Sequence, residues 1–102
     1  MVIHIDDDRV REAFAYNPDT GLLTWKIRCS RSNPGDVAAG KGKKNWYSQV
    51  RIDGKSLYRH RVCWFLHYDE WPKQQIDHIN RDKNDNRIAN LRDVSSFENI
   101  QN

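Results

Sequence analysis

The densest run of residues able to do chemistry is Asp77-His78-Ile79-Asn80, followed by Asp82, Asp85-Asn86, Asn90-Leu91 and Glu98-Asn99. An imidazole beside a carboxylate is a useful pair. The carboxylate can hold a hard divalent cation, and a neutral imidazole can take a proton from water near pH 7. Asn99 offers a second, neutral oxygen. An ordinary reading competes with this one. An Asp-His step in a loop is commonly a turn cap followed by a surface histidine, and Asn90 can simply cap a turn. Two metal classes are excluded by spacing. Residues 82–86 lack the central Gly and the distant bidentate Glu of an EF-hand. Cys29, Cys63, His60 and His78 lack the paired ligand spacing of a zinc site.

The surrounding pattern says what must position these groups. Asp6-Asp7-Asp8 before Val10, Ala13 and Phe14 predicts a short capped helix. Tyr16-Asn17-Pro18-Asp19-Thr20-Gly21 is a turn, and Leu22 to Ile27 reads as a strand. Residues 28–45 form a basic loop. Trp46–Ile52 and Lys55–Arg59 read as strands joined at Asp53-Gly54, a strong hairpin signal. His60–Tyr68 reads as a helix that ends before Trp71-Pro72. Gln74–Ile79 is a further strand, Asn80–Asn86 is turn-like, and Ser95-x-x-Glu98 fits the capping box of a last helix near Phe97. On a strand, Asp77 and His78 point to opposite faces. A turn directly after them would let both approach one pocket.

Spacing lifts the reading above its ordinary competitor. The run Asp77-His78-Ile79-Asn80-Arg81-Asp82-Lys83-Asn84-Asp85-Asn86-Arg87-Ile88-Ala89-Asn90-Leu91-Arg92, then Val94-Ser95 and Glu98-Asn99, resembles the His-Asn-His (HNH) endonuclease motif. It is most similar to the version in phage homing nucleases, where Asn stands in the third His position. His60-Arg61-Val62-Cys63-Trp64, Tyr68 and Trp71-Pro72 resemble the helix that precedes the motif in that family. Tyr16 to Lys26 resembles the opening of many phage members, so the likeness covers roughly residues 14–102.

The resemblance implies a ββα-metal unit and a role for each matching position. Asp77 would be a metal ligand and His78 the general base that activates water. Asn90 would be the central Asn that holds the loop and orients His78. Asn99 would complete the metal site. Oxygen ligands suit Mg²⁺ or Mn²⁺. The family commonly has Gly where this chain has Arg81.

Composition bounds the rest. The chain has 102 residues, 37% hydrophobic and 30% charged, which fits one small domain with a thin core. No apolar run approaches the ~18 residues of a membrane-spanning helix. The acidic start does not resemble a signal peptide, and two Cys cannot build a disulfide framework, so a reduced, cytoplasmic setting is expected. A phage or prophage gene expressed in a bacterial host is what the resemblance implies.

The net charge of +3 is uneven: residues 21–67 carry ten basic and two acidic groups, a local +8. That is either a solvated basic face or a surface for a polyanion. With a nuclease motif beside it, DNA is the expected partner. Lys41, Lys43, Lys44, Arg51, Lys55, Arg59, Arg61 and Arg81 are the candidate contacts. As strand residues, Arg51, Lys55 and Arg59 would share an exposed surface with Trp46 or Tyr58.

The expected fold class is α+β. An N-terminal helix and a three-stranded antiparallel sheet with a helix would fill residues 1–72, a DNA-binding region. The nuclease motif would fill 73–102, both within one unit. The expected activity is metal-dependent DNA hydrolysis, with nicking the expected outcome for a monomer. The alternatives are a non-catalytic DNA-binding module with a decayed motif, or the nicking component of a phage packaging complex.

Overall fold

The computed structural model describes residues 6–29, 32–38 and 49–94. Its elements run α1 (Asp7–Ala13), β1 (Phe14–Tyr16), β2 (Leu23–Trp25), β3 (Gln49–Ile52), β4 (Lys55–Tyr58), α2 (Arg59–Tyr68), β5 (Gln75–His78), a 3-10 turn (Ile88–Asn90) and β6 (Leu91–Val94). This is a mixed helix and strand architecture, as the sequence suggests. Among the described residues the expected three-stranded sheet is not formed. The described strands make three separate antiparallel pairs, β1–β2, β3–β4 and β5–β6. The reason lies at residues 14–16. Phe14 leaves the helical path and opens a strand opposite Trp25, so residues 23–25 find their partner there and not in the 49–58 hairpin.

Local chemistry explains each element. The Asp6 side chain accepts from the Asp8 N–H and caps α1. Val10 and Ala13 are the buried face of that helix. Asp53 and Gly54 both have positive φ, +52° and +76°, which matches the twist of a tight hairpin turn. α2 ends at Asp69 in the left-handed region, two residues before Trp71-Pro72. Trp71 then stacks on Phe65 at 4.4 Å between ring centroids and donates its indole N–H to Asp7.

One core joins these pieces. Val62, Cys63 and Phe65 of α2 are buried in one cluster with Val10, Ala13, Phe14, Leu23, Trp25, Ile52, Ile76 and Leu91. Burial pushes the Cys63 thiol up to about 12, so it behaves as an apolar side chain. The cluster draws on α1, all of the strand pairs and α2, so the β5–β6 pair is seated on the same core as the N-terminal elements.

Candidate active site

β5 and β6 are held in register with Asp77 opposite Arg92 and His78 opposite Leu91. Alternation along β5 buries Ile76 and His78 and leaves Gln75 exposed and Asp77 half-buried. The sequence residues thus occupy the two faces of one strand end, with a turn at 79–80 immediately after.

His78 is only 3% exposed. Its Nε2 lies 2.8 Å from the side-chain oxygen of Asn86. Its ring meets the His60 ring edge-on, 5.3 Å between centroids. Burial pulls the His78 pKa below the ordinary imidazole value, while the Asn86 contact and the carboxylates of Asp77, Asp82 and Asp85 oppose that shift. The imidazole is therefore neutral at pH 7, the form that can accept a proton. His60 is pushed down further, to about 3, by burial first and by His78, Arg61 and Arg59 after it.

Asn90 is 5% exposed and ties both ends of the loop 79–90. Its side-chain oxygen accepts from the Asn80 N–H at 2.9 Å. Its amide donates to the Asn80 side-chain oxygen at 2.9 Å and to the Asp85 carbonyl at 2.8 Å. Its own carbonyl accepts from the Ile79 N–H. Asp85 is braced by Arg87, which holds its carboxyl down at about 2. At the bend of the loop, Arg81 sits at φ +65°, a conformation that glycine adopts freely. That conformation gives a physical account of the glycine expected at this position.

Asp77 accepts a hydrogen bond from Arg92 at 2.6 Å. Its carboxylate is thus oriented, and already neutralised by an internal cation. Among the described residues no group of three or more His, Cys, Asp or Glu is placed to hold a metal. Asn99 lies outside the described residues, as do the last helix near Phe97 and Lys41, Lys43 and Lys44. The donor chemistry of Asp77 with an amide oxygen fits a hard cation, with Arg92 as its competitor.

The other basic candidates are dispersed. Arg51 is exposed, on the face of the β3–β4 hairpin that also carries Tyr58. Lys55 stands opposite Ile52, on the other face, so the expected common surface of Arg51 and Lys55 is not formed. Arg59 reaches the Asn84 side chain at 3.4 Å. Arg61 donates to the carbonyls of Gln74 and Pro72, bracing the entry to β5. Arg81 is exposed. Two residues in the site have no role assigned from the sequence: Asn86, which touches His78, and Arg92, which touches Asp77. Both lie in the quoted motif, but neither type nor spacing marks a buried Asn or a cross-strand Arg.

The site is thus a strand pair presenting an acid–imidazole step, closed by a loop laced through one asparagine. The family model described as HNH endonuclease matches residues 57–101. No curated protein and no solved structure matches the chain. Among the described residues, no helix is long and apolar enough to cross a membrane.

Proposed function

We propose that the protein is a metal-dependent DNA endonuclease, with His78 as general base and a divalent cation, Mg²⁺ or Mn²⁺, held by Asp77 and Asn99. The observation that carries this reading is the placement of a neutral, hydrogen-bonded His78 at the end of β5 next to Asp77, inside the segment matched as HNH endonuclease. His78 accepts a proton from water at a ring nitrogen, a contribution of about 10²–10⁴-fold for a well-placed base. Asn90 keeps the loop that carries this geometry closed. When bound, the cation supplies charge neutralisation at the scissile phosphate. Arg51, Arg59 and Arg81 contribute phosphate contacts, so affinity falls with salt.

A second reading has its own support. The Arg92 guanidinium already occupies Asp77, which suits a DNA-binding module without catalysis. Supercoiled plasmid incubated with the protein and Mg²⁺ or Mn²⁺ separates the two. Nicking that disappears in His78→Ala and Asp77→Ala supports the nuclease. Intact plasmid with salt-sensitive binding supports the second reading.

A further inference from the structure

The loop 79–87 contains no helix or strand, yet it must hold His78's partner in place. Its outside support comes from residues far away in the chain and outside the matched segment. The Tyr16 hydroxyl donates to the backbone carbonyl of Asn86. The Ile88 N–H donates to the Pro18 carbonyl at 3.0 Å. Gly21, at φ +77°, lies so close that an added Cβ would fall 2.5 Å from the Arg87 nitrogen and 2.7 Å from the Asn86 carbonyl carbon. These contacts fall on three consecutive residues, 86 to 88.

The turn making them is itself braced. The Gly21 N–H donates to the Asn17 carbonyl at 2.8 Å, and the Asn17 N–H to the Leu22 carbonyl at 3.0 Å. The Asn17 side chain accepts from the N–H groups of Asp19 and Thr20. Burial raises the Tyr16 pKa, so its hydroxyl stays a donor across the working pH range. Asn86, 1% exposed, passes the constraint on by its side-chain oxygen, 2.8 Å from His78 Nε2.

We propose that the β1–β2 hairpin is a clamp that positions the His78 imidazole through Asn86, with Tyr16 and Gly21 as its points of contact. Tyr16, Gly21 and Asn86 are then positioning residues. The proposal rests on the reading of His78 as the proton acceptor. An imidazole turns about its Cβ–Cγ bond unless a partner fixes its plane, and Asn86 is fixed only while its peptide is held. A misplacement of about 1 Å at a reacting group can cost about 10²-fold in rate.

The test uses the full chain with Tyr16→Phe, Gly21→Ala and His78→Ala. Single-turnover cleavage is followed with Mg²⁺ well below each melting temperature, alongside ¹⁵N–¹H spectra of the histidine rings. Tyr16→Phe removes one hydroxyl and keeps the ring, so it is the variant expected to fold. The expected result is a kcat lowered about 10- to 100-fold at unchanged KM, together with shifted His78 ring signals. Wild-type kcat, or unshifted His78 ring signals, in folded Tyr16→Phe overturns the clamp. His78→Ala that cleaves as fast as wild type overturns the reading of His78 instead, and the ring signals still decide whether the hairpin fixes that side chain.

Discussion

Asn90→Ala tests whether the loop is held as described. The substitution deletes three side-chain hydrogen bonds, to the Asn80 N–H, the Asn80 side-chain oxygen and the Asp85 carbonyl. Asn90 is 5% exposed, so water does not simply replace them. At about 1 kcal/mol for each bond the loss is about 3 kcal/mol. The whole fold of a chain this size is stabilised by only about 5–15 kcal/mol. A loss of 3 kcal/mol lowers the melting temperature by about 12–24 °C at ~4–8 °C per kcal/mol. Thermal melts followed by circular dichroism measure that shift. Hydrogen exchange gives a local check, because the Asn80 amide loses its acceptor while the amides paired between β5 and β6 keep theirs. Asn90→Asp gives no rescue, since its carboxylate would face two acceptors. A melting temperature within about 3 °C of wild type, with Asn80 still protected, would refute the argument.

Three further outcomes follow from the same structure. His60 has a folded pKa of about 3, far below its ordinary value, so its contribution is complete above pH ~6.5 and is lost as pH falls towards 3. Denaturation midpoints in His60→Gln should vary less between pH 6.5 and 4 than in wild type, and an unchanged slope would contradict this. Arg81 occupies left-handed backbone at φ +65°. Arg81→Val should therefore lower stability by about 1–2 kcal/mol while Arg81→Gly does not, as read by urea titration. Arg92 neutralises Asp77 at 2.6 Å. Arg92→Met should therefore tighten Mn²⁺ binding several-fold by electron paramagnetic resonance, and weaker binding would remove Asp77 from the metal site.

Local signals were legible wherever one residue type dictates a conformation. Asp6 as a cap, Asp53-Gly54 as a tight turn and the stop of α2 before Pro72 each have a single dominant cause. Pairing between strands was not legible, because it depends on which partner survives in three dimensions. Phe14 fits either a helix or a strand, and its meeting with Trp25 decides the matter, 4.6 Å between ring centroids. The motif placed Asp77, His78 and Asn90 at one loop by spacing. It could not place Asn86, whose backbone meets Gly21 and the Tyr16 hydroxyl, the latter 70 positions away. Register is also invisible to composition: it separates Lys55 from Arg51 although both belong to the basic stretch.

The contact between Tyr16 and Asn86 spans 70 residues of chain. Closing a flexible loop of that length costs about 4 kcal/mol of entropy before any contact offsets it. On the ribosome the interval is also one of time. At ~5–20 residues per second, the hairpin, complete at Trp25, waits about 3–12 s for residue 86 to be made. An isolated two-stranded hairpin is marginal in water, so during that wait it depends on whatever core α1 and α2 can already offer. A chain released before residue 88 would carry the hairpin with nothing to hold, and a segment begun after Leu22 would carry the loop with nothing holding it. In neither fragment is the Asn86 peptide held by Tyr16 and Gly21, which confines a clamped loop to chains in which both distant pieces have been made and have met.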